Sequence, residues 1–293
     1  MSKSFLGRSA RLLIVRILSS FKVNFPPPED GILPPWKNNY LYTIAVSKNQ
    51  DWKGLLFQKN RRYGKILKNM ELSSKKKYLQ IAFNRNLDEV ISMVEQLPCS
   101  PNIILEAGTP FVKKYGINGI STIKETRENI CQTKAYIVAD LKTMDRGERE
   151  VKEAKKAGAS AVTCLGTAPI ETIDAFLESC EKYKIDGAID MLGVKFPFEV
   201  LQKLKKMPKI IILHLGVDER RNNREKIIPY HQINRIKGTY GKVLIAIAGG
   251  ENPKDVLRAF FNDADIAIIW EKIYQNPKRI KEITLEFLKN IKK

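Results

Sequence analysis

The stretch that decides the fold is Ala135-Tyr136-Ile137-Val138-Ala139-Asp140-Leu141-Lys142-Thr143-Met144-Asp145-Arg146-Gly147-Glu148. An apolar run ends in two carboxylates and a lysine, and a helical pattern, Val151 to Ala157, begins straight after. The order is buried strand, polar loop, helix. Ionised groups at the end of a buried strand need partners or a ligand, because burying a charge alone is costly. A structural ion-pair network meets that need as well as a binding site does, so the surrounding chain has to decide.

Outward from this stretch, short apolar runs alternate with helical segments from Tyr78 onward. The runs at 78–83, 102–106, 135–140, 160–164, 186–190, 209–214, 242–247 and 264–269 read as strands. Helical patterns follow, among them 86–96, 146–157, 169–184, 197–206, 252–261 and 276–291. Alternation of this kind predicts an α/β fold with parallel strands. Eight strand–helix units predict a (β/α)8 TIM barrel over residues 78–293; a doubly wound sheet, which has fewer strands, ranks second.

In a barrel of this kind chemistry gathers at the C-terminal ends of the strands. Those ends carry Asn84, Glu106, Asp140 with Lys142, Thr163, Asp190, His214, Gly249-Gly250 and Trp270-Glu271. Each of Glu106, Asp140, Lys142, Asp190 and His214, taken singly, is more often a satisfied structural group than a catalyst. Five of them on one rim favour a site.

Charge divides the chain differently. Residues 1–77 hold 16 Lys and Arg against 4 Asp and Glu, a net +12 out of +19 for the 293 residues. Residues 4–21 predict a basic amphipathic helix, with Leu6, Leu13, Ile14, Ile17 and Phe21 on one face and Arg8 and Arg11 largely opposite. Docking on its own globular domain is the plain reading of that helix; an anionic surface or a partner's groove is the other. The prolines of Phe25-Pro26-Pro27-Pro28 and Pro34-Pro35 predict a stiff, extended linker. From residue 52 aromatics interleave with base: Lys59, Arg61, Arg62, Tyr63, Lys65 and the run Lys75-Lys76-Lys77. Bases neutralise phosphates and exposed aromatics stack on unpaired bases, so these residues are candidates for contact with RNA or the ribosome; a solvated basic appendage is the alternative. The expectation is therefore a barrel with a basic, partly extended N-terminal appendage.

The cysteines, Cys99, Cys131, Cys164 and Cys180, show no metal-ligand spacing, and only His214 and His231 are present to join them. Buried, reduced thiols in a cytoplasmic protein are expected, without structural zinc. No apolar run reaches the length of a membrane span, and arginines flank Leu12-Leu13-Ile14-Val15, which argues against a signal peptide.

The run Ala139-Asp140-Leu141-Lys142-Thr143-Met144-Asp145, with Glu106-Ala107-Gly108-Thr109-Pro110, Val162-Thr163-Cys164-Leu165-Gly166-Thr167, His214-Leu215-Gly216-Val217-Asp218 and Ala246-Ile247-Ala248-Gly249-Gly250, resembles the hexulose-6-phosphate synthases of the orotidine-monophosphate-decarboxylase suprafamily. The resemblance covers essentially all of 78–293. It implies Mg²⁺ held by Glu106 and Asp140, a proton at C1 of ribulose 5-phosphate moved by His214, and positive charge from Lys142 beside the developing oxyanion. It implies that Gly249 and Gly250 cradle the substrate phosphate and that Asp145 reaches into the partner's site of a homodimer. The enediolate would then add to formaldehyde. Two positions depart from the family's pattern: Asn84 stands for an aspartate, and Trp270-Glu271 stands for the Gly-Arg pair that grips phosphate. Two other readings therefore stay open: a catalytically impaired barrel recruited as an RNA-binding, ribosome-associated protein, and a related sugar-phosphate lyase or decarboxylase.

Overall fold

The computed structural model describes residues 71–223, 225–250 and 252–291. Eight parallel strands close into a barrel in the order of the chain, each beside the next and the eighth beside the first. They are β1 (Tyr78–Phe83), β2 (Ile103–Ala107), β3 (Ile137–Thr143), β4 (Ala161–Leu165), β5 (Asp186–Asp190), β6 (Ile210–His214), β7 (Leu244–Ala248) and β8 (Ile266–Ile269). The eight expected strands are present, with ends displaced by up to three residues. Around them run α1 (Leu87–Gln96), α2 (Thr109–Cys131), α3 (Gly147–Lys156), α4 (Ile170–Tyr183), α5 (Pro197–Leu201), α6 (Val217–Asn222), α7 (Gln232–Tyr240), α8 (Pro253–Phe261), α9 (Glu271–Gln275) and α10 (Ile280–Ile291).

Two helical expectations need correction. The segment at 197–206 is helical only to Leu201; beyond it Lys203 and Leu204 turn through short i to i−3 bonds, and the Lys205 amide donates to Asp174. The segment at 276–291 begins as a 3₁₀ turn at Pro277–Arg279 before α10 takes over. The long α2, which is not among the helical patterns read from the sequence, is two helical stretches joined at Gly116, whose φ of 58° breaks the ladder.

Two apolar cores follow from the period-two geometry of the strands. The larger lies between barrel and helices and contains Leu79, Ile81, Phe83, Phe111, Phe176 and Phe287. The smaller fills the barrel interior with Tyr78, Ala82, Ile104, Tyr136, Val138, Ala188, Ile212, Ala246 and Ile268. Leu72, ahead of β1, belongs to this interior cluster. The same alternation sets the rim. Glu106 follows Ile104 by two residues, and Asp140 follows Val138. Asp190 follows Ala188, His214 follows Ile212, and Trp270 follows Ile268. Each polar rim residue thus continues an interior-facing column, which is why they meet.

The expectation of four reduced thiols fails for one pair. Cys99 and Cys131 form a disulfide, with Cα atoms 5.6 Å apart. The cause is tertiary: α2 packs beside α1 and returns its C-terminal end to the loop that follows α1. Arg127 of α2 fastens the same loop by donating to the carbonyls of Leu97 and Pro98. Cys164 and Cys180 are free and buried.

Candidate active site

The cavity at the C-terminal rim has a volume of about 360 Å³ and is lined by residues of every strand or of the segment that follows it. Lys142 stands at its centre electrostatically. Its Nζ donates to Asp140 Oδ1 at 3.1 Å and to Asp190 Oδ2 at 2.8 Å. The backbone explains how a strand residue reaches inward there. The β3–β4 register shifts between Ala139 and Thr143, and Lys142 has a φ of 47°, a left-handed conformation that costs energy for a residue with a Cβ. The Lys142 amide, released from the regular ladder, donates to Thr163 Oγ1 at 2.9 Å.

Asp190 is nearly inaccessible and joins two functional groups. Besides Lys142 it faces His214, whose Nδ1 lies 2.9 Å from both carboxylate oxygens. Burial alone would raise the Asp190 carboxyl, but the hydrogen bond and charge of His214 and the Lys142 ammonium pull it down to about 2. Burial opposes the charge on Lys142, yet Asp140 and Asp190 outweigh it and hold the ammonium well above the usual lysine range. Both groups are therefore ionised. An ionised Asp190 accepts a hydrogen bond from the Nδ1–H of His214 and leaves Nε2 as the ring nitrogen available to a substrate.

Asp140 is held from three sides: by Lys142, by Thr163 Oγ1 at 2.8 Å and by Thr109 Oγ1 at 2.7 Å. Glu106 accepts from Gln80 Nε2. Burial, and then the charge of Asp140, push Glu106 up to about 8. Glu106 and Asp140 are thus two buried carboxyl groups lining one cavity. Their hard oxygen atoms suit Mg²⁺, which commonly takes one or two carboxylates and completes its shell with water and substrate. The donor set fits the ion the resemblance implies.

At the opposite wall, Gly249 has a φ of +111°, and a Cβ there would come 2.7 Å from the Leu215 carbonyl oxygen. Gly250 lies in an adjoining basin of about 560 Å³ shared with Gly249 and Arg220. Trp270 forms part of the cavity wall and packs against the interior cluster. Asn84 also lines the cavity; its backbone N–H donates to the Tyr274 hydroxyl at 2.9 Å, tying the end of β1 to α9.

The structure thus gathers Glu106, Asp140, Lys142, His214, Asn84 and Gly249 around one cavity, with Gly250 beside it. Asp145 is exposed and outside that lining. Sequence reasoning passed over Gln80, Thr109 and Arg220; the period-two column marks Gln80, two residues before Ala82. Among the proposed RNA contacts, Lys75 and Lys76 are exposed, and Lys77 is engaged with Asp263 at 2.8 Å. Arg8, Arg11, Lys59, Arg61, Arg62, Tyr63 and Lys65 lie outside the described residues. No helix among the described residues is long and apolar enough to cross a membrane.

Residues 77–283 match the Orotidine 5'-phosphate decarboxylase / HUMPS family. The chain is 38% identical over 217 residues to the Bifunctional enzyme Fae/Hps of Methanosarcina acetivorans and 39% identical over 219 residues to that of Methanocella arvoryzae. Each alignment takes in 74% of this chain and 53% of the relative, so the chain spans about half the length of these proteins. Among solved structures, 3-hexulose-6-phosphate synthase from Salmonella typhimurium superposes with a TM-score of 0.62 at 24% identity, covering 73% of this chain and 99% of that one. KGPDC from Streptococcus mutans gives 0.59 at 20%, covering 74% and 98%. At these identities the structural likeness speaks to the fold.

Proposed function

The chain belongs to the Orotidine 5'-phosphate decarboxylase / HUMPS family, and from that membership we propose that it is a divergent hexulose-6-phosphate synthase-like aldehyde-lyase that joins formaldehyde to ribulose 5-phosphate. The observation that carries this reading is the Asp190-centred network, which prepares a base and a fixed cation on one wall of the cavity.

With its Nδ1–H donating to Asp190, His214 uses Nε2 to take a proton from C1 of the ketose. The electron pair left behind is delocalised as an enediolate, and the Lys142 ammonium supplies fixed positive charge to its oxygens. C1 then forms a bond to the carbonyl carbon of formaldehyde. The formaldehyde oxygen takes up the proton held by His214, giving a 3-hexulose 6-phosphate with no net proton change. Glu106 and Asp140 would hold Mg²⁺, which when bound supplies further positive charge to the substrate oxygens. Thr109 and Thr163 keep the Asp140 carboxylate oriented. Asp145, on the exposed side of the β3–α3 loop, is proposed to complete the site of a second copy in a homodimer.

Formaldehyde-dependent consumption of ribulose 5-phosphate in the presence of Mg²⁺ tests the proposal. Turnover that vanishes in Lys142→Ala supports it, and absence of turnover overturns it. The concentration of +12 in residues 1–77 favours a second reading, association with RNA through that segment.

A further inference from the structure

A phosphorylated substrate needs a cation at the end of the cavity remote from its reacting carbon, and the strand-eight position offers none: Trp270 and Glu271 stand there. Two permanently charged cations line the cavity among the described residues, Lys142 and Arg220. Lys142 is already shared between Asp140 and Asp190 and serves the reacting end. Arg220 enters from α6, after β6. Its Nη1 donates to the Gly249 carbonyl at 3.3 Å and its Nη2 to Glu271 Oε2 at 3.0 Å. The guanidinium therefore lies against the glycine whose missing Cβ lets the chain pass close to Leu215, at the junction of the cavity and the outer basin. The basin beyond carries three further cations, Arg221, Lys226 and Arg258.

We propose that Arg220 is the residue that selects a phosphorylated substrate, with Glu271 serving as the counter-ion that the phosphate displaces. The inference rests on the aldol reading for the identity of the substrate. A guanidinium presents several N–H groups in a planar fork, so one edge can remain on Gly249 while phosphate oxygens replace the carboxylate on the other. The Arg220–Glu271 pair is partly exposed, with side-chain accessibilities of 27% and 29%, so an incoming anion reaches it without unfolding the rim. Glu271 then does two things. It positions the guanidinium while the site is empty, and it disfavours ligands too weakly anionic to take its place.

The two members of the pair should consequently behave oppositely, which a merely structural ion pair would not do. In Arg220→Gln, KM for ribulose 5-phosphate should rise about 10- to 100-fold with kcat little changed, the loss expected for charged hydrogen bonds to substrate. Arg220→Lys should recover part of the loss. Glu271→Gln should bind ribulose 5-phosphate at least as tightly as the unaltered chain. Calorimetry with ribulose, which lacks the phosphate, should give the same affinity for the unaltered chain and for Arg220→Gln.

The assignment is overturned if Arg220→Gln leaves ribulose 5-phosphate affinity unchanged, if it weakens ribulose equally, or if Glu271→Gln weakens binding as much as Arg220→Gln. Ribulose 5-phosphate binding that depends on Arg220 in a chain without turnover would keep the assignment and remove the aldol reading. Turnover indifferent to Arg220 would do the reverse, and a chain that does not bind ribulose 5-phosphate at all would remove both.

Discussion

His214 is held by Asp190: its Nδ1 stands 2.9 Å from each carboxylate oxygen of a side chain that solvent scarcely reaches. The ring's tautomer and direction are therefore settled before any substrate arrives. Asp190 is a positioning residue whose removal should be felt through the histidine.

Asp190→Asn should lower kcat by about 100-fold or more, the usual scale for a mis-set general base, and should displace the acid limb of the pH–rate profile, where that base becomes protonated. The acid stability of the fold should change as well. Asp190 titrates at about 2 in the fold against 3.8 ordinarily. That difference favours the folded state above pH 4 and disappears as the pH falls from 4 through 2. It is worth on the order of 2 kcal/mol. Melting temperatures recorded between pH 2 and 6 should show this acid-side loss in the unaltered chain and a shallower one in the variant. Parallel curves would count against the assignment.

Lys142→Ala removes the cation that two carboxylates share. Turnover should fall by about 1,000-fold, while far-ultraviolet circular dichroism keeps the barrel signature. Leaving two buried acids without their partner should also cost about 3 kcal/mol of stability in denaturant titration. A variant with full activity would place the chemistry elsewhere.

Glu106→Gln separates metal binding from folding. The glutamine keeps the shape but ends the repulsion with Asp140, so the metal-free variant should melt no lower than the unaltered chain. Mg²⁺ at tenfold excess over its Kd should raise the melting temperature of the unaltered chain by about 3–6 °C and leave the variant unmoved. An equal Mg²⁺ shift in both would exclude Glu106 as a ligand.

Association with RNA through residues 1–77 is tested by filter binding with single-stranded RNA. Affinity should fall steeply between 50 and 200 mM salt, by about a thousandfold if some six phosphates are neutralised, and should be lost when residues 1–77 are removed. Binding that survives the truncation would discard this reading.

The barrel was legible because eight apolar runs, each short enough for a strand, recur with helical segments between them. The site was legible for a related reason. Glu106, Asp140, Asp190 and His214 each sit at the polar end of such a run, and period-two alternation turns all of them inward. What escaped depends on contacts far apart in the chain. Arg220 meets Glu271 across 51 positions and Cys99 meets Cys131 across 32. No local pattern encodes either meeting; both follow from how the helices lean on the closed barrel. The short helix α6 escaped because six residues give too few turns for a periodic signal. The shortened α5 escaped because Asp174, on the neighbouring helix, claims an amide beyond its end.

The interior column of Tyr78, Tyr136, Ile210, Leu244 and Ile266 fills the barrel beneath the rim. Among the described residues the chamber therefore has a closed floor and is entered from the rim. Two reactants that enter from the same rim must queue, and the bulkier one, seated first against the floor, leaves a gap only the smaller can enter. Under the proposed reaction the sugar phosphate precedes formaldehyde. The product then departs by the route its precursors used, so accumulated product obstructs the next sugar before it obstructs the next aldehyde.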